Sequence, residues 1–132
     1  EIGKARLVKE GTDLSIITYG LGVHWALDHV NAHPEISADI LDLRTLVPWD
    51  VEAVEETVKK TGRVLILHED TLTSGFGGEI SAHLAEHCFQ YLDAPVMRCA
   101  SLDTAIPMNK ALEENFLAKA RLAEIIDKLM GF

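Results

Sequence analysis

The run His83-Leu84-Ala85-Glu86-His87 sets two histidines one helical turn apart. This is the H-x-x-E-H order in which both imidazoles of an inverted zinc peptidase reach one metal. The chemistry would be metal-assisted hydrolysis, and it needs a third ligand and a wet cleft. Ile80, Leu84 and Cys88 instead form an apolar stripe beside both histidines, so partly buried helix histidines are the favoured reading.

Two other clusters invite chemistry. Ser74-Gly75-Phe76-Gly77-Gly78 stands where a strand hands over to a helix, and helix-start amides there could hold a phosphate. The loop matches neither G-x-G-x-x-G nor G-x-x-x-x-G-K-[ST], carries no lysine, and has Phe76 where a phosphate cradle wants a small residue. A tight helix entry packed on a neighbour fits better. His68-Glu69-Asp70 ends an apolar run, at the edge where open α/β sheets gather their sites. Adjacent strand residues point to opposite faces, so Glu69 is poorly placed to orient His68, and a polar network fixing the next loop is preferred to acid–base catalysis. Ser74 and Ser101 lie in no G-x-S-x-G and have no readable base. His24, His29 and His33 recur unevenly and read as solvated side chains.

The elements that must position these residues follow from hydropathy patterning. A turn at Glu10-Gly11-Thr12-Asp13 joins strands at Lys4–Lys9 and Leu14–Tyr19, expected to be antiparallel. Val23, Ala26, Leu27 and Val30 mark a helix stopped by His33-Pro34. A strand over 37–43 precedes a helix capped by Asp50, carrying Val51, Val54 and Val58, and closed by Gly62. Val64–Leu67 is continuously apolar, as a centrally placed strand covered on both faces should be. A helix through Ile80 and Leu84, a strand over 95–100, and a helical tail from Asn109 with Leu122, Ile125, Ile126 and Leu129 in a stripe complete the chain. Strands alternating with helices predict one α/β domain over residues 1–132. It should be a three-layer α/β/α sandwich, with about five mostly parallel strands and an antiparallel N-terminal strand.

Composition narrows the partners. In 132 residues, 21 acidic against 12 basic side chains give a net charge of −9, which repels a phosphate backbone and suits a basic protein partner. No stretch reads as a membrane span or signal peptide, so the expectation is a cytosolic protein. Cys88 and Cys99 form no C-x-x-C and are expected to be free thiols. Glu1 in place of a methionine suggests a piece of a longer chain.

Read in order, the landmarks become specific. They are Gly3-Lys4-Ala5, Glu10–Asp13, Ile17-Thr18-Tyr19-Gly20, Asp42–Asp50, Lys60–Arg63, His68-Glu69, Gly75-Phe76-Gly77, Glu79-Ile80, Asp93-Ala94-Pro95 and Asp103-Thr104. The series resembles the transketolase C-terminal domain of 2-oxo-acid dehydrogenase beta subunits, and Pro48-Trp49-Asp50 resembles the branched-chain (2-oxoisovalerate) enzymes most.

The resemblance implies a heterotetramer of alpha and beta subunits that decarboxylates a branched 2-oxo acid on thiamine diphosphate with magnesium and acylates a lipoyl group. It places that enzyme in the cytoplasm, or in the mitochondrial matrix of a eukaryote. It also implies that catalytic, cofactor and metal residues lie outside this domain. What remains here is subunit association with the alpha subunit and a second beta subunit, and docking of the basic peripheral subunit-binding domain of the dihydrolipoyl acyltransferase. By the same resemblance Asp93 and the carboxylate of Phe132 meet that partner. Ala105, Met108 and Ser74 depart from the family pattern, which often has proline, an aromatic residue and glycine there. The runner-up is a nucleotide- or phosphate-binding regulatory module using Gly75–Gly78.

Overall fold

The computed structural model describes residues 1–132. Five strands, β1 (Arg6–Lys9), β2 (Leu14–Thr18), β3 (Ala38–Asp42), β4 (Val64–Thr71) and β5 (Met97–Ser101), form one sheet in the order β1-β3-β2-β4-β5. All pairs are parallel except β1 with β3. Helices α1 (Leu21–Ala32) and α5 (Leu122–Met130) cover one face; α2 (Val51–Thr61) and α3 (Phe76–His87) cover the other. The three-layer sandwich expected from the sequence is therefore present, and none of its helices is long and apolar enough to cross a membrane.

Alternation along each strand divides the core. Leu14, Ile16, Ile40, Leu65 and Leu67 meet Trp25, Ala26, Leu122, Ile126 and Leu129 on the α1/α5 side. Ile17, Leu41, Val64 and Ile66 meet Val54, Val58, Ile80 and Leu84 on the other. The C-terminal stripe thus docks on the sheet as its spacing predicts. Asp50 caps α2 by accepting from the Ala53 amide at 3.3 Å, and Gly62 ends it with φ 71°.

Three expectations need correction. β1 and β2 run in opposite directions but are not a hairpin: β3 lies between them, because the parallel β2–α1–β3 crossover returns beside β2 and leaves β1 the outer edge. β4 is interior, flanked by β2 and β5, but the middle strand is β2. The tail is not one helix: α4 (Lys110–Phe116) stops at Leu117, whose ψ of 147° is extended, before a short helical turn leads into α5.

Ser74 adopts φ 63°. A side chain in the left-handed region strains the backbone, so Ser74→Gly should stabilise the domain by about 0.5–1 kcal/mol after the unfolded-state entropy of glycine is subtracted. Thermal unfolding of the variant checks this; an unchanged or lowered midpoint contradicts it.

Candidate functional site

The C-terminal ends of the strands hold His68. Alternation puts it on the same side as Val64 and Ile66, and it is fully buried. Its Nδ1 lies 3.2 Å from the carbonyl oxygen of Asp70, its ring stacks on Tyr19 at 6.0 Å, and its Nε2 is buried without a partner. Gly75 and Gly77 are buried against the ring: a Cβ on Gly77 would lie 2.5 Å from Nε2. The glycine loop is therefore a tight helix entry closed over a histidine, and the space a phosphate cradle keeps open is filled by the imidazole. Glu69 and Asp70 are exposed and neither carboxylate touches His68.

Burial holds the His68 imidazole below the ordinary histidine range, with the Asp70 carbonyl and carboxylate opposing that shift in part. The unfolded chain protonates near pH ~6.5, the folded one only at lower pH. The contribution of His68 to stability is complete above that value and is lost as pH falls through the folded pKa. The denaturation midpoint should thus decline below about pH 6.5, and His68→Asn should flatten that decline. An equal slope in the variant would remove His68 as its cause. His29 adds in the same direction, lowered by burial and then by His33.

The remaining histidines do not assemble a metal centre. His83 Nε2 is 3.0 Å from Glu55 Oε1, and its ring lies 4.3 Å from that of His87 and 5.1 Å from Trp49. Glu55 is held below the usual carboxylate range by Lys59 first and His83 second. It is thus engaged in an ion-pair cluster on the helix surface. His83 is half-buried, as expected; His87 is more open. On α1 the expectation of solvated histidines holds for His24 and for His33, whose side chain is 45% exposed and reaches Glu35, but not for His29. His29 is half-buried with Nε2 lacking a partner, stacks on His33 at 4.4 Å, and lines a cavity with Lys119, Leu122 and Ala123, a setting that spacing within α1 does not reveal.

Thiamine diphosphate and magnesium do not fit the residues of this domain. No three His, Cys, Asp or Glu side chains are grouped to hold a metal, and the glycine loop is closed over His68. Cys88 and Cys99 are free and buried; burial raises the Cys99 thiol to about 11.

Asp93 has a different setting. It is exposed and follows a short helical turn at Phe89–Tyr91. Its amide donates to the Gly62 carbonyl at 2.8 Å, which fixes the backbone. Its carboxylate sits over Gly62, at the C-terminal end of α2, and makes no hydrogen bond or ion pair within the domain. A carboxylate gains nothing from a helix C-terminus, so the charge does not serve the local fold. Beside it runs an open groove of 490 Å³ lined by Ser81, Ala85, Phe89, Leu92 and Pro95, with Phe89 74% exposed. Sequence reasoning missed Phe89; its departure from the buried stripe of α3 was the available signal. Arg121, at the start of α5, donates to the Ala100 carbonyl near the C-terminal end of β5. Phe132, the last residue, is 57% exposed.

The chain is 50% identical over 110 residues to the mitochondrial 2-oxoisovalerate dehydrogenase subunit beta of Dictyostelium discoideum, covering 81% of this chain and 30% of that relative. It is 40% identical over 113 residues to the pyruvate dehydrogenase E1 component subunit beta of Bacillus subtilis, covering 84% and 35%. The chain thus spans about a third of the length of the curated relatives it matches. A solved structure described as a split gene transketolase, inactive beta4 tetramer, superposes with a TM-score of 0.81 at 25% identity, over 99% of this chain and 42% of the other. The family model for the transketolase C-terminal domain matches residues 3–121, and the chain belongs to that family.

Proposed function

We propose that this domain is a non-catalytic assembly and docking module of a thiamine-diphosphate-dependent 2-oxo-acid dehydrogenase beta subunit, of the branched-chain type. The intact enzyme decarboxylates a branched 2-oxo acid and acylates a lipoyl group, with cofactor, magnesium and catalytic residues supplied outside these residues. The domain associates with the alpha subunit and a second beta subunit, and receives the basic subunit-binding domain of the acyltransferase at Asp93 and Phe132. The higher identity to the 2-oxoisovalerate relative than to the pyruvate one supports the branched-chain assignment.

The observation that carries the docking role is the Asp93 carboxylate: exposed, held by its backbone, unpaired, and set beside an apolar groove in a chain of net charge −9. Such a charge steers a basic partner and fixes its register. Calorimetric titration of the assembled alpha–beta enzyme with the subunit-binding domain at low salt tests it. Asp93→Ala should weaken binding about tenfold, roughly 1.4 kcal/mol, and reduce its salt dependence. Equal affinity of the two proteins removes Asp93 from the site.

A further inference from the structure

One face of α1 and the start of α5 enclose a cavity whose polar side chains have no partners within the domain. Trp25, Asp28 and His29 stand at i, i+3 and i+4 on α1. Lys119, from the helical turn Ala118–Arg121, and Leu122 and Ala123, which begin α5, line the same space of 230 Å³. Its floor is apolar: Trp25 is 6% exposed and Leu122 3%, and both belong to the core on this side of the sheet. Around that floor, His29 Nε2 is buried without a hydrogen-bond partner. Asp28 and Lys119 are exposed, and neither forms an ion pair with the other or with any further side chain.

The two free charges differ in sign, and that selects the ligand. A simple anion gains at Lys119 and is repelled at Asp28, with Asp127 of α5 adding negative potential at His29. A simple cation meets the reverse. A molecule that carries both charges a few bonds apart gains at both ends, and an apolar body on it also covers Trp25 and Leu122. Burial, and then His33, hold the His29 imidazole below the ordinary histidine range, so at pH ~7 its unpaired nitrogen offers a hydrogen bond without adding a positive charge. The cavity is smaller than the ~300–1,000 Å³ of sites for larger ligands and far smaller than a protein interface, which suits a small molecule.

We propose that this cavity binds a free α-amino acid with an apolar side chain, its ammonium at Asp28, its carboxylate at Lys119 and its side chain on Trp25 and Leu122. The site is independent of the docking role of Asp93, whose groove is lined from α3 on the other face of the sheet. Asp28 is the residue that discriminates. A 2-oxo acid of the same carbon skeleton has an oxo group in place of the ammonium, and so loses the attraction to that carboxylate.

Equilibrium dialysis of the purified native protein, with whatever subunits it carries, against radiolabelled L-leucine tests this. L-leucine should be retained saturably, at a stoichiometry of about one per copy of this chain. Asp28→Asn and Lys119→Gln, each altering an exposed side chain, should weaken retention about tenfold or more. Isocaproate keeps the leucine skeleton without the ammonium, and isoamylamine keeps it without the carboxylate; each should displace the label about tenfold less well than unlabelled L-leucine, or worse. Absence of saturable retention overturns the site. Retention that either variant leaves unchanged also overturns it, since L-leucine is then held elsewhere. Displacement by isocaproate or isoamylamine as effective as that by L-leucine overturns the pairing of both charges with one ligand.

Discussion

Asp39→Ala should lower the unfolding free energy by about 3 kcal/mol, a large share of the ~5–15 kcal/mol that a domain of this size possesses. Asp39 lies on β3, and its side chain is 2% exposed beneath α2. It accepts from the Gly11 amide at 2.8 Å, the Thr57 hydroxyl at 2.6 Å and the Lys60 ammonium at 2.6 Å. Thr57 continues the network to Ser15, which also meets Thr61, so the β1–β2 turn, β2, β3 and α2 are tied through one carboxylate. Alanine leaves the Gly11 amide without its acceptor and takes one partner from the Thr57 hydroxyl. Lys60 is 42% exposed and can turn to water, so the loss sits at the lower end of that for a broken buried pair. Asp39→Asn keeps the shape and one acceptor oxygen and should cost roughly half as much. Urea unfolding of both variants checks this; a loss below about 1 kcal/mol for alanine would mean that the network is not holding the elements together.

Gly77→Ala should cost about 2–3 kcal/mol for a different reason, overpacking against side chains that have nowhere to go. The added methyl would lie 2.5 Å from His68 Nε2 and 3.1 Å from Ile66 Cγ2, both on a fully buried stretch of β4. The clash is with a side chain, so much of its cost should vanish in a His68→Ala background. Gly75 offers the contrast. A Cβ there would run into the Thr71 carbonyl oxygen as well as the ring, so His68→Ala should not rescue Gly75→Ala. A double-mutant cycle that finds equal costs of Gly77→Ala in both backgrounds would show that the ring does not set the need for glycine.

These two sites show where sequence patterning stops. The period of Val54 and Val58, the run Val64–Leu67 and the stripe Leu122–Leu129 specify their elements and buried faces because periodicity reports burial directly. The tightness of Gly75 and Gly77 was legible, but not that His68 is the neighbour they close over, since that contact joins strand and helix across a loop. The place of β3 between β1 and β2 was hidden because a turn at Gly11 reads the same whether or not the two strands pair. There Gly11 passes against the backbone of Ala38. The Asp39–Thr57–Ser15 network was invisible because each residue, taken alone, is an ordinary polar residue beside apolar neighbours. Asp93 was found by resemblance rather than by pattern. What the fold adds is the reason to take its charge seriously, a carboxylate with no internal partner at an unfavourable helix end.

The central claim is that this domain docks a partner and does no chemistry of its own, and Asp93→Ala in the assembled enzyme separates the two. Decarboxylation of the 2-oxo acid, followed with an artificial electron acceptor that bypasses the acyltransferase, and acylation of the acyltransferase's lipoyl group should be measured on the same preparation. Decarboxylation should be unchanged, while lipoyl acylation at limiting acyltransferase should fall about tenfold, in step with the lost affinity. Equal loss of both rates, or loss of decarboxylation alone, would contradict the account.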